Sequence, residues 1–262
     1  MTHTSPTFFT ALVDDAGLFP PTSLHMSEAL GRHERDQERG TRMLTHRFLC
    51  PTSRLDALRR ESFRPRRIGL IVDTEEIPPF DDLPVDFVEV RLNDDLSLDR
   101  TARELRETLP PDVRLFVEVL PRKHFSDVPK GVELKVRCGG AEAHDFPQAE
   151  QLAGFIRFCA DNDIPFKATA GLHRAVRHFD PTLGVDRHGF LNLLLAVCEA
   201  VEHRDPAPVL RSTDVGHLVR MARAVPEETA ERARHLLVSY GSCSTVTPIE
   251  DMLALGLIEE DA

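Results

Sequence analysis

Tryptophan is absent from this chain of 262 residues, and tyrosine occurs once, at Tyr240. That scarcity argues against a recognition surface built on aromatic side chains. Long apolar runs are missing too, and none approaches the roughly 20 residues that cross a bilayer. The opening Met1-Thr2-His3-Thr4-Ser5-Pro6 lacks the basic start and long apolar core of a secretory leader. Cysteines are few and odd in number: Cys50, Cys138, Cys159, Cys198 and Cys243, with no C-x-x-C pair. That usage fits buried thiols in a reducing compartment and fits neither a disulfide framework nor a zinc knuckle. Positive charge is in deficit, since the net charge is −11 at pH 7. A nucleic-acid partner would need a basic surface. There is no Walker loop, G-x-S-x-G elbow or G-x-G-x-x-G fingerprint to support nucleotide chemistry. The expectation is a cytoplasmic protein with no cofactor, no nucleic-acid partner and no membrane partner.

What the chain does contain is a succession of short apolar or β-branched runs. They fall at 9–14, 43–50, 67–72, 86–92, 114–119, 132–137, 164–169 and 235–240. Helical patterns separate most of them. One has an N-cap expected at Ser27 and an end near Gly40; others span 55–62, 98–108, 146–162, 190–201, 215–224, 227–233 and 248–255. Eight strands alternating with helices predict an α/β fold, a single (β/α)8 TIM barrel over 1–262. A helical insertion is expected around 204–234, between the seventh and eighth strands. A doubly wound open sheet is the competing arrangement. The barrel ranks first because polar residues recur where strands end: Asp14, Asp73, Arg91, Arg137, Thr169 and Ser242. Barrel enzymes place their active sites on that face.

The sixth and seventh runs each carry a lysine, in Glu133-Leu134-Lys135-Val136-Arg137 and Pro165-Phe166-Lys167-Ala168-Thr169. An apolar strand rarely accepts an unpaired ammonium, because burying one is costly. Strand residues two apart share a face. Inside a barrel, Lys135, Arg137, Lys167, Glu89, Arg91, Glu118 and Asp14 would therefore meet. One reading is a buried ion-pair network with no catalytic role. The other starts from a lysine beside a second lysine and an arginine, whose pKa is expected to fall. A neutral amine attacks carbonyls and forms a Schiff base, whose iminium draws electrons from a neighbouring carbon–carbon bond.

These stretches resemble motifs of the deoxyribose-phosphate aldolase family, class I aldolases built on this barrel. Val13-Asp14-Asp15-Ala16-Gly17-Leu18-Phe19-Pro20 is similar to the family's first strand. Glu89-Val90-Arg91-Leu92-Asn93 matches its fourth, with glutamate for aspartate, and Glu118 falls where its fifth carries a glutamate. Lys135-Val136-Arg137-Cys138-Gly139 resembles the Schiff-base strand. Lys167-Ala168-Thr169-Ala170-Gly171-Leu172 resembles the strand of the second lysine, and Gly241-Ser242-Cys243-Ser244 the end of the eighth. The resemblance implies that Lys135 forms the Schiff base, Lys167 tunes it, and Glu89 moves protons, with Asp14 completing the catalytic set. Arg137, Arg91, Glu118, Thr169, Gly171, His173, Gly241, Ser242 and Ser244 would bind substrate. Arg137 stands where the family has a small hydroxyl residue, Arg91 is added, and the double glycine has become Ala170-Gly171. Those departures suggest a divergent relative whose substrate carries a carboxylate or a differently placed phosphate. The expected partners are a small anionic substrate and, in an assembly, further copies of the chain.

Two alternatives belong beside this one. A metal-dependent barrel lyase would take Asp14 or Asp15 with His173 as ligands, near the loop holding His178, Asp180, Asp186 and His188, although those spacings match no strong ligand motif. A barrel without catalysis would bind a small anionic metabolite. Cys138 and Cys243 read as buried structural thiols.

Overall fold

The computed structural model describes residues 7–91, 98–121 and 128–259; Leu92 and Asn93 of the fourth-strand motif and residues 1–6 lie outside them. Period-two alternation makes each strand two-faced, and in this protein both faces are covered. The barrel strands are β1 (Val13–Asp15), β2 (Leu44–Pro51), β3 (Ile68–Ile71), β4 (Val85–Arg91), β5 (Arg114–Val119), β6 (Val132–Arg137) and β7 (Phe166–Thr169). A separate antiparallel ribbon follows, β8 (His178–Asp180) with β9 (Val185–Arg187), before the last barrel strand, β10 (Leu237–Ser242). The eight barrel strands pair in parallel, and β10 joins β7 to β1 so that the sheet closes. This is the (β/α)8 barrel architecture, and closure excludes the open sheet.

Outward side chains such as Val88, Val90, Leu115, Val117, Leu134 and Val136 join the large core beneath the helices. Those helices are α1 (Met26–Arg39), α2 (Leu55–Arg60), α3 (Leu98–Thr108), α4 (Ala149–Asp161), α5 (Phe190–Val201), α6 (Ala207–Arg211), α7 (Val215–Ala224), α8 (Glu227–Leu236) and α9 (Val246–Ala254). The sequence of α5 is apolar nearly all round, which requires burial on every side. It packs against α4, α6, α7 and α8. Inside the barrel, Ala16, Leu49, Phe87 and Phe116 form a second, smaller core, flanked by Phe19, Ile71 and Val238. Phe87 and Phe116 meet edge to face, with centroids 5.3 Å apart.

Among the boundaries that differ from the sequence reading, three have a local cause. The first strand spans Val13–Asp15 and not 9–14, because Ala11 has a positive φ of 49° that turns the chain away from an extended path. α1 starts at Met26 and is capped by His25, whose backbone N–H donates to Glu28 Oε2 at 3.2 Å; Ser27 is already inside the helix. The final strand begins at Leu237, because α8 continues through Leu236. Among the described residues, no helix is long and apolar enough to cross a membrane.

Candidate functional site

Register sets the site. Across the sheet Glu118 pairs with Lys135, Lys135 with Lys167, and Lys167 with Ser239. Asp14 on β1 pairs with Gly241. These residues, with Glu89 from β4, place alternating charges near the small inner core. Lys135 Nζ contacts Glu89 Oε2 and lies 3.1 Å from Glu118 Oε2. Lys167 Nζ contacts Asp14 Oδ2 and lies 3.0 Å from Glu89 Oε1. Glu89 is thus shared by the two lysines. Lys167 Nζ also sits 3.7 Å from the centroid of the Phe87 ring, a cation–π contact.

Asp14 has further partners. Arg47 Nη1 donates to its Oδ1 at 2.8 Å and Thr45 Oγ1 at 2.6 Å, while Ser239 Oγ donates to its Oδ2 at 2.7 Å. Burial would raise this carboxyl, but Lys167 and Arg47 hold it well below the usual carboxylate range. Glu89 is lowered for the same reason: Lys135 and Lys167 outweigh its burial. Three cations, Arg47, Lys135 and Lys167, face three carboxylates, Asp14, Glu89 and Glu118. Arg47 also reaches Asp86, which it shares with Arg67.

One expectation is overturned. Proximity to Lys167 and Arg137 was to lower the Lys135 pKa. The Lys135 pKa is instead raised: burial would lower it, but Glu89 and Glu118 more than offset that. Glu89 stands between the lysines, and Arg137 turns to Glu118, at 3.6 Å. Lys135 therefore rests as an ammonium.

The expected catalytic residues Asp14, Glu89, Lys135 and Lys167 are all buried in this one network. The substrate-binding candidates spread over the carboxyl ends of the strands. Arg91 is exposed at the end of β4, 3.8 Å from Glu118. Thr169 ends β7, with Gly171 and His173 in the loop beyond it. Gly241 lies within β10, where an added Cβ would meet Leu49 Cδ1 at 3.2 Å. Ser242 Oγ donates to the Ser244 carbonyl at 2.6 Å, and Ser244 Oγ accepts from the Thr247 N–H at 3.1 Å, so both serines serve the turn into α9. On the side where a Cβ would stand, the Gly139-Gly140 pair is already filled: an added Cβ at Gly139 would meet the Phe146 ring and the Gly171 backbone, and one at Gly140 the Asp145 carboxylate.

The metal-lyase ligand set is not assembled. Asp14 is engaged by Lys167 and Arg47, and Asp15 points to Arg32 and His33 on α1. His173 lies beside Cys243, while Asp180 and Asp186 pair with Arg187 and Arg177. His188 is buried against the Pro147 carbonyl, 2.8 Å from Nε2. Among the described residues, no group of three or more His, Cys, Asp or Glu could hold a metal ion.

No known family and no curated protein matches the chain. A solved structure of an uncharacterized protein from Clostridium thermocellum, which binds two copies of 5-methyl-5,6,7,8-tetrahydrofolic acid, is distantly similar. It is 13% identical, with 94% of this chain and 93% of that one covered, at a TM-score of 0.31. At that score the likeness carries no argument about function.

Sequence reasoning passed over Thr45, Arg47 and Ser239, all of which hold Asp14. A signal was present for one of them: Arg47 is a charge inside the apolar run 43–50, as unusual there as either lysine.

Proposed function

We propose that this protein is a Schiff-base lyase, a class I aldolase in mechanism, acting on a small anionic carbonyl compound. The observation that supports this reading is Lys135 held between Glu89 and Glu118, with Glu89 reaching on to Lys167. The charge balance suits the reaction. A lysine ammonium and a carbonyl combine to give an iminium and water, so Nζ carries one positive charge before and after. The carboxylates that stabilise the ammonium are equally matched to the iminium. In between, the amine must be neutral to attack. Glu118 or Glu89 takes one proton from the ammonium before attack and a second from the carbinolamine nitrogen after it, and both go to the oxygen that leaves as water. Asp14 anchors Lys167, and Lys167 in turn positions Glu89. Arg91 and Arg137, both near Glu118, offer guanidinium forks to a substrate carboxylate or phosphate. Thr169, Gly171, His173, Gly241, Ser242 and Ser244 would border the same ligand from the ends of β7 and β10.

A second reading is favoured by the raised pKa of Lys135. The network would then be structural, and the barrel would bind a small anion through Arg91 and Arg137 without covalent chemistry.

One experiment separates the two. The full chain is incubated with small aldehydes and keto acids, treated with borohydride, and weighed by mass spectrometry. The lyase reading expects an irreversible adduct that maps to Lys135 and disappears in Lys135→Met. Absence of an adduct with every carbonyl compound in the panel would sink it and leave the binding reading.

A further inference from the structure

Outside the lysine network, one pair of reactive side chains stands at the carboxyl ends of the strands. Cys243 immediately follows β10, and His173 lies in the loop after β7. The two strands are neighbours in the barrel, so their end loops lie side by side. The Cys243 sulfur is 3.7 Å from His173 Nδ1. Arg32 Nη1 donates to the Cys243 carbonyl at 2.8 Å, and the Ala16 N–H donates to the Ser242 carbonyl at 2.8 Å, which fixes the backbone on which the thiol is mounted. Cys243 is 6% exposed, and His173 is partly exposed.

We propose that Cys243 and His173 form a second nucleophilic site, one that takes small aldehydes and ketones as thiohemiacetals, independently of Lys135. The thiol proton passes to His173, and the thiolate electron pair forms a C–S bond to the carbonyl carbon. The C=O π pair moves to oxygen, and that oxygen takes the proton from His173. Nothing is oxidised or reduced, and no group leaves. Addition across a C=O bond needs a nucleophile and an acid at adjacent atoms, and this pair supplies both. The low exposure of the sulfur limits the reactant to a small one.

The other cysteines make the contrast. Burial pushes Cys50, Cys138 and Cys198 up to about 12, and Cys159 well above its ordinary value. Burial also opposes ionisation of Cys243, but hydrogen bonds with His173 and Thr22 bring it down to about 7.

The test uses iodoacetamide on the native full chain at pH 7, with peptide mass mapping. Cys243 should be alkylated at least about tenfold faster than the other four cysteines. Acetaldehyde added beforehand should slow that alkylation, and removing the aldehyde should restore it. His173→Gln, its fold confirmed by circular dichroism, should slow Cys243 by about tenfold. The comparison among five cysteines in the unaltered chain stands even if that variant fails to fold. Equal rates at all five, no protection by aldehyde, or an unchanged rate in folded His173→Gln each overturns the proposal. In Lys135→Met both the fast alkylation and the protection should persist, so failure here is distinct from failure of borohydride trapping.

Discussion

A carboxylate shared by two ammonium groups controls both, because removing it leaves two buried charges short of a partner. Glu89 holds that position between Lys135 and Lys167. Glu89→Gln should therefore cost about 3–5 kcal/mol, the usual penalty for breaking a buried ion pair from one side, read as a fall in the urea midpoint. It should also bring down the Lys135 pKa, since Glu89 is the largest influence raising it. The chain contains four lysines, Lys123, Lys130, Lys135 and Lys167, so their Nζ resonances can be followed by NMR. Lys135 should stay protonated past its ordinary 10.5 in the unaltered protein and lose its proton at lower pH in Glu89→Gln. Titration of Lys135 below 10.5 in the unaltered chain would contradict this account. The direction of this shift was not legible in the sequence. Two lysines and two arginines were visible on period-two positions, but the sign of the effect depends on Glu89, and then Glu118, reaching the Lys135 ammonium from neighbouring strands. Arg47 was legible by the rule that exposes the lysines, since Thr45, Arg47 and Leu49 share one period-two face and that face meets Asp14 and the inner core.

At the level of elements, the loops after β6 and β7 touch through their backbones. Gly171 has φ +74°, and an added Cβ would lie 2.8 Å from the Cys138 carbonyl oxygen and 3.0 Å from Gly139 Cα. Gly171→Ala meets both a disfavoured backbone conformation and a contact that no side chain can relieve. A loss of about 1–3 kcal/mol is expected, and an unchanged denaturation midpoint would refute the packing described. The strand β6 was readable because charged and apolar residues alternate along all six positions, and β4 and β5 because Glu89 with Arg91, and Arg114 with Glu118, fall on one face of otherwise apolar runs. The ribbon was not: β8 and β9 are three residues each, and Phe179 is 60% exposed, so neither presents an apolar face to recognise. Its sequence presents a loop rich in His and Asp, and those charges serve the ribbon, with Arg187 Nε donating to Asp180 Oδ2 at 2.6 Å.

For the whole molecule, the buried charges predict how stability follows pH. Asp14 and Glu89 have depressed pKa values, so their contribution is present above their ordinary 3.8 and 4.5 and is lost as pH falls below them. Lys135 is raised above 10.5, so its contribution is present below that value and is lost as pH climbs past it. His188 adds an earlier acid limb: burial lowers it from 6.5 to about 4, and the folded state resists a proton that the unfolded chain accepts. That difference is worth about 3 kcal/mol, lost between pH 6.5 and 4. Urea midpoints should decline below about pH 6.5, and again above about pH 9, where the unfolded chain's thiols ionise while buried Cys50, Cys138, Cys159 and Cys198, all raised, stay neutral. In His188→Gln the decline between 6.5 and 4 should shrink, while the steeper fall below 4 remains; an identical acid limb would rule out His188 as its source. The network also sets an order of events during synthesis. Asp14 lies 153 residues from Lys167 and 225 from Ser239 along the chain. Its carboxylate emerges from the ribosome long before either partner exists, so the first strand waits, unsealed, until the last has been made.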